Sequence, residues 1–408
     1  MSHRGRWLAG ACTSALAVCL LVTGGGHAPP PHRGPVRDTG TDVAVGAYLH
    51  YGSPGVERMR ELSAWLGGAE LRAGHTYLPG DTWANIEGAP DSLRSWARWR
   101  RAGADRLFVL NVPMAQHNES GVPDARVAEL LRSGARGAYD QHFRRLAERL
   151  VALGVPDTVI VLGWEMNGFD YAHRCRPDPE SWKTYWRRVV AAMRSVPGQR
   201  LRFDFAPNRG ADAIAWTRCY PGDDVVDIIG MDSYDQPPGD TFDEQVTQPY
   251  GLQQQADFAA AHGKRISFPE WGLFRRGDNP EYVRRMLLWI EAHRPVYHSI
   301  TDYCPHGVWQ CEDNPRSARV FREFLSPGRP AAAGPPAAPD GPHHGRLAPE
   351  PVWQTPRTPR DPHGAVGRCR DDQQFTHTGG RRGGPDGCDG TTGAGSGGRS
   401  GAAALAAR

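Results

Sequence analysis

The sequence predicts an α/β fold built as a single (β/α)8 TIM barrel, and three observations carry that prediction. Between Val43 and Leu325, short apolar, β-branched runs alternate eight times with amphipathic stretches. The eight alternations occupy about 280 residues, close to the roughly 250 of a single closed parallel barrel. No glycine-rich phosphate loop follows the first apolar run, which argues against a doubly wound open sheet.

The strand segments are Val43–Leu49, Glu70–Tyr77, Arg106–Val112, Thr158–Trp164, Leu201–Ala206, Val226–Met231, Arg265–Phe268 and Tyr297–Tyr303. Helices are expected between them. Phe143, Leu146 and Leu150 recur at helical spacing, as do Tyr282, Met286 and Trp289. Asp178-Pro179-Glu180 and Asn279-Pro280-Glu281 read as helix starts, with a capping side chain ahead of a proline in the first turn.

The two ends are different material. Arg4 and Arg6 precede an apolar run from Trp7 to Val22, followed by three glycines and then three prolines. This pattern reads as a signal peptide over residues 1–28 with a linker over 29–42, so a secreted, extracellular protein is expected. The run falls short of the roughly 20 apolar residues of a membrane span; an uncleaved anchor is the alternative. Leu16-Ala17-Val18-Cys19 resembles a lipoprotein cleavage box, but the apolar run continues past it through Val22. From Pro327 to Arg408 there are 17 Gly and 12 Pro in 82 residues, with almost no apolar periodicity. Such a composition buries too little surface to offset its ordering entropy, so residues 326–408 are expected to be a disordered tail behind one catalytic domain over 43–325.

Charge excludes some partners. The tail carries 10 basic and 7 acidic residues, and this excess equals the net +3 of the whole chain. The rest is formally neutral, which leaves no basis for a nucleic-acid or membrane-surface partner. A monomer is expected.

Of the eight cysteines, two lie in the leader, two in the tail, and Cys175, Cys219, Cys304 and Cys311 in the domain. In an exported protein these four suggest disulfides, with three pairings open and Cys304–Cys311 the local one. A zinc site is the alternative there, because His306 lies between that pair.

In barrels of this kind chemistry collects where the strands run out. Polar or aromatic residues follow nearly every strand segment: His50, His75, Asn111, Glu165 with Asn167, Asn208, Asp232 with Tyr234, Glu270 with Trp271, and Trp309 in the last loop. Carboxylates, amides and flat aromatic faces around one mouth are the ingredients of a sugar cleft. Glu165 ends the fourth segment in Gly163-Trp164-Glu165-Met166-Asn167-Gly168, and Glu270 ends the seventh in Phe268-Pro269-Glu270-Trp271-Gly272. They stand 105 residues apart, or 35 for each of three strand–helix units. That spacing brings both carboxylates to one mouth, where two held about 5–5.5 Å apart can run a double displacement with retention. An isolated glutamate is more often a solvated charge or half of an ion pair; here both sit at apolar strand ends beside Trp and Gly.

Trp164-Glu165-Met166-Asn167-Gly168 and Pro269-Glu270-Trp271-Gly272 resemble glycoside hydrolase family 26 of clan A. The stretch from Tyr220 to Tyr234 is similar to that family's sixth strand. The resemblance covers roughly residues 43–325 and implies endo-β-1,4-mannanase activity, with β-1,3-xylanase and lichenase as alternatives. It implies that Glu165 is the acid/base, Glu270 the nucleophile, and Tyr234 the tyrosine that hydrogen-bonds the nucleophile. Two departures bear on the substrate. Trp164 stands where better-studied members often have His, and Phe169-Asp170-Tyr171 replaces a Trp-rich segment.

Substrate contacts are expected from Trp164, Asn167, Asn208, Tyr234, Trp271, His75 and Trp309, with a polysaccharide as the partner. Asn208 reads equally as a turn cap, and His75 and His50 equally as structural histidines. Asp232 reads as orienting Tyr234 or pairing with a cation. No pattern calls for a cofactor. Two other functions remain open: trimming of a polysaccharide made by the same cell, and a non-catalytic carbohydrate-binding barrel, which the intact glutamate pair argues against.

Overall fold

A computed structural model describes residues 43–328. The leader, the linker and nearly all of the expected tail lie outside the described residues. So do Cys12, Cys19, Cys369 and Cys388.

The first five strands are single segments: β1 (Ala44–Tyr48), β2 (Ala73–Tyr77), β3 (Leu107–Val112), β4 (Val159–Leu162) and β5 (Arg202–Phe205). The sixth comes in two pieces, β6 (Ile228–Ile229) and β7 (Ser233–Tyr234), as does the seventh, β8 (Arg265–Ile266) and β9 (Phe268–Gly272). β10 (Tyr297–Thr301) is the eighth. Each lies within or beside its predicted segment, and every ladder is parallel. β1 pairs with β10 on one side and β2 on the other, so the chain ends of the sheet meet. The remaining seam joins the sixth and seventh strands: β6 pairs with β8, and β7 with β9. Between those short ladders, Ser267 N–H donates to the Ile229 carbonyl (3.2 Å) and Met231 N–H to the Ser267 carbonyl (3.1 Å). Gly230 sits in this break, where a Cβ would come within 2.6 Å of Asp204 Oδ1.

The helices fall between strands. They are α1 (Gly52–Trp65), α2 (Trp83–Ile86), α3 (Pro90–Arg101), α4 (Asp124–Ala135) and α5 (Asp140–Ala152) in the first half. α6 (Pro179–Arg194), α7 (Phe242–Thr247), α8 (Leu252–Ala261), α9 (Pro280–His293) and α10 (Pro315–Leu325) complete the set. The two expected caps form: Asp178 accepts from Ser181 N–H (3.1 Å) and Asn279 from Tyr282 N–H (3.2 Å). Phe143, Leu146 and Leu150 are fully buried on one face of α5. The alternation breaks once. After β5 there is only a 3-10 turn, Trp216–Cys219, in place of the expected α-helix. Trp216 is fully buried there against Phe205 and Phe258, and Cys219 is bonded to Cys175. A buried anchor and a covalent tie hold this connection in place of an α-helix.

The main core is the layer between strands and helices, filled by Trp96, Phe108, Trp182, Trp186, Phe203 and Phe205. Cys304 and Cys311 form the second disulfide, as the local pairing predicts. Among the described residues no helix is long and apolar enough to cross a membrane.

Candidate active site

β4 delivers Glu165 through an unusual turn. Gly163 has φ +60° and its Cβ would meet Met114 Sδ at 2.6 Å, so a larger residue there would be strained and crowded. Glu165 itself is left-handed, at φ 49°. Its N–H donates to the Ala206 carbonyl (2.8 Å), and its carbonyl accepts from Gly168 N–H (2.9 Å). Non-glycine residues avoid this region, and those held there cluster at functional sites. Desolvation, followed by the negative charges of Glu270, Asp212 and Asp170, pushes the Glu165 carboxyl well above the usual carboxylate range. A carboxyl that holds its proton near neutrality has the character of a general acid.

Glu270, only 6 % exposed, sits in β9 and is met by donors. Tyr234 donates to its Oε2 (2.7 Å) and Asn111 Nδ2 to its Oε1 (2.9 Å). Tyr77 also hydrogen-bonds it; burial raises its pKa, and the bonds from Tyr77, Tyr234 and Asn111 oppose the rise. Burial and the Glu270 charge push the Tyr234 hydroxyl far up, so it remains a donor, and Thr301 stands 2.8 Å behind it. The two glutamates thus occupy contrasting surroundings. Glu165 faces mainly like charges, whereas three neutral donors favour the ionised form of Glu270.

Asp232 lies beneath them, fully buried, and its Oδ1 accepts the Glu270 backbone N–H (3.1 Å). It therefore anchors the strand carrying Glu270; it neither orients Tyr234 nor pairs with a cation. Burial, then the charges of Glu270, Glu165 and Asp204, push its carboxyl well up.

The expected sugar contacts divide. Trp271 is fully buried, its indole N–H bonded to His298 Nδ1 (3.1 Å) and its ring packed toward Phe321 of α10. Strand alternation explains this: with Glu270 facing inward, its neighbour must face the helices. Trp271 therefore offers no stacking face. Asn167 is also buried. Its amide donates to the carbonyls of Asn208 (2.9 Å) and Gly210 (3.2 Å), and its Oδ1 accepts Asn208 N–H (2.8 Å). It ties the loop after β4 to the loop after β5 instead of binding sugar. His75 is fully buried with both ring nitrogens engaged, so it is not a sugar contact either.

Trp164 is nearly buried, with its ring edge-on to Tyr77 and Tyr171. Asn208 and Trp309 are half-buried. Asn208 Nδ2 donates to Asp212 (3.2 Å), and the Trp309 backbone N–H donates to Asp302 Oδ1 (2.9 Å). Several mouth residues were missed in the sequence. Tyr48 ends β1 and Tyr77 ends β2, with ring centroids 4.6 Å apart; Tyr303 follows β10. Among the described residues the exposed aromatics are Phe169 (60 %), Tyr51 (43 %) and Tyr303 (37 %). Their signal is position, an aromatic at or just past a strand end.

Among the described residues, one group has metal-ligand spacing: Cys304, Cys311 and Asp313. The two sulfurs are bonded to each other, which leaves no thiolate and removes the zinc alternative. His306 instead engages the Leu273 carbonyl through Nδ1 (2.8 Å).

Comparison with known families places this mouth in context. The family model "Glycosyl hydrolase family 26" matches residues 143–271, a stretch that contains both Glu165 and Glu270. The chain resembles glycosyl hydrolase family 26. The match supports a glycoside hydrolase. Among solved structures, GH26C from Muricauda sp. shares 18% identity, with a TM-score of 0.53 over 70% of this chain and 85% of that one. The catalytic domain of the GH26 endo-β-1,4-mannanase of Bacillus sp. JAMB-750 shares 18% identity, with a TM-score of 0.52 and the same two coverages, 70% and 85%. The YdhT protein of Bacillus subtilis follows at 18% identity and a TM-score of 0.50, over 69% of this chain and 85% of that one. At these identities the likenesses establish the barrel fold. No curated protein matches the sequence.

Proposed function

We propose that this chain is a retaining glycoside hydrolase acting on a β-linked polysaccharide, with a mannan as the first substrate class. One observation carries the reading: two carboxylates at one barrel mouth lie in unequal environments. Burial raises both, but desolvation and like charge push Glu165 well up, while hydrogen bonds from Tyr77, Tyr234 and Asn111 offset part of the rise at Glu270. That division of labour is what a double displacement needs. Glu165 protonates the glycosidic oxygen as Glu270 attacks the anomeric carbon, which releases the aglycone half and leaves a glycosyl ester on Glu270. Glu165, now ionised, takes a proton from water, whose oxygen breaks that ester and restores both groups. The exposed Phe169, Tyr51 and Tyr303 supply flat faces for sugar rings, with Asn208 and Trp309 at the rim.

Mannan comes first because an endo-β-1,4-mannanase is among the structural neighbours and a family 26 model matches the catalytic stretch. Export fits the two disulfides, which persist in oxidising compartments. The test is product analysis by NMR on soluble mannan, β-1,3-xylan and lichenan. Products that first appear with the substrate's own anomeric configuration support the reading. Initial inversion, or no cleavage of any β-glycan, overturns it.

A further inference from the structure

Behind Glu270 runs a buried chain of polar groups, of which the proposed reaction uses only Asn111. Ser299 Oγ lies 2.9 Å from His75 Nδ1, and His75 Nε2 lies 2.9 Å from Asn111 Oδ1. Asn111 Nδ2 in turn lies 2.9 Å from Glu270 Oε1. Ser299, His75 and Asn111 are all fully buried. They come from three strands, β10, β2 and β3, so the barrel itself assembles the chain.

The polarity of every link follows from the carboxylate outward. An ionised carboxylate only accepts, so Asn111 must present its NH2 to Glu270 and its oxygen to His75. That oxygen needs a donor, which makes His75 the Nε2–H tautomer. Its Nδ1 is then a bare acceptor, filled by the Ser299 hydroxyl. We infer that His75 is a positioning residue for the nucleophile, locking the Asn111 carboxamide in the orientation that donates to Glu270. The inference rests on Glu270 being the nucleophile only for its catalytic consequence. Burial pushes the imidazole down to about 4, so the ring stays neutral and the polarity holds through the working range.

Without the imidazole donor, the amide is free to rotate and turn its oxygen toward the carboxylate. Glu270 then loses one of its three donors and binds its proton more tightly. The acids that face Glu270 are Glu119, Glu165 and Asp232. The phenols facing it are Tyr77, Tyr234 and Tyr303, with Tyr48, Tyr51 and Tyr171 further out. All these phenols are shifted upward, so they stay protonated and only the acids titrate alongside Glu270.

The test uses the full chain and three variants. In His75→Phe, the 13C-detected titration of Glu270, assigned with Glu270→Gln, should move up by about one pH unit, the scale of one charge-assisted hydrogen bond. The acid limb of kcat/KM on an activated aryl glycoside should move with it. His75→Gln, whose amide offers a donor and an acceptor at similar spacing, should restore both. A His75→Phe titration equal to the wild type, or a His75→Gln shift as large, overturns the inference. In the wild type, 15N NMR should show His75 protonated at Nε2 and bare at Nδ1. The opposite tautomer overturns it even where a variant fails to fold. Activity that survives Glu270→Ala would refute the nucleophile assignment, and the titration and tautomer would still decide the relay.

Discussion

Replacing Glu165 with glycine should give a more stable protein than replacing it with alanine. The residue is held at φ 49° by its own backbone bonds to Ala206 and Gly168. A left-handed conformation costs an L-residue roughly 1–2 kcal/mol, and alanine keeps the Cβ responsible. Glycine escapes that cost but gives back about 0.4–1 kcal/mol through its freer unfolded chain. The net advantage of glycine is about 0.5–1 kcal/mol, or a Tm about 1–4 °C higher in a domain of this size. Both variants should also exceed the wild type at neutral and alkaline pH. The Glu165 pKa is raised in the folded state, so the protonated carboxyl stabilises relative to the ionised one, and that advantage is lost as pH rises through the folded value. The gap between variants and wild type should therefore widen upward from about the ordinary carboxylate value near 4.3. Urea and thermal unfolding at pH 4 and pH 8 are the assays. A Glu165→Ala protein as stable as Glu165→Gly would refute the strain argument. A wild type that outlasts both at pH 8 would refute the electrostatic one.

Other outcomes follow from the same geometry. Tyr234→Phe removes a donor 2.7 Å from Glu270 and should cut kcat/KM about 10–100-fold, the scale of a hydrogen bond to a charged group, with the acid limb of the pH profile moved up; an unshifted limb would count against the bond. Opening the Cys304–Cys311 disulfide, whose cysteines are 7 residues apart, should cost about 2.5 kcal/mol. The Cys175–Cys219 bridge spans 44 residues and should cost about 4 kcal/mol, so paired serine variants in urea titrations should rank in that order. Glu165→Ala should retain the first step on aryl glycosides with acidic phenols and be accelerated by azide, giving a glycosyl azide of retained configuration. Glu270→Ala should be inactive on every substrate, and azide rescue of that variant instead would reverse the assignment.

The fold was legible because parallel strands buried on both faces read as compact apolar runs, and each of the eight has its observed counterpart. Boundaries slipped where local signal was weak. Glu70-Leu71-Arg72 lies ahead of β2 outside the strand, and a buried tryptophan with a disulfide replaced the helix after β5. At the site, period-two alternation in β9 made Glu270 legible as inward-facing, and the same rule would have placed Trp271 outward. Asn167 and His75 misled for a different reason. A polar residue at a strand end can face sugar or tie two loops, and the choice depends on partners far along the chain. His75 meets Ser299 across 224 positions, a contact that no local pattern encodes. Asn111, a lone amide in Leu107-Phe108-Val109-Leu110-Asn111-Val112, was visible as an anomaly but not as a partner of Glu270.

The seam between the sixth and seventh strands has a consequence for how this protein fails. Here two separate two-residue ladders, linked by a pair of bonds through Ser267, close the ring. Tyr234 stands on one side of that seam and Glu270 on the other, so the bond between them crosses an interrupted ladder. Regions with few backbone bonds open locally at free energies well below that of global unfolding. On warming, opening of this joint should separate Glu270 from its Tyr234 donor while the tryptophan-filled layer outside stays packed. Heat should therefore silence the enzyme before it melts it, and cooling should bring activity back without any refolding of the barrel.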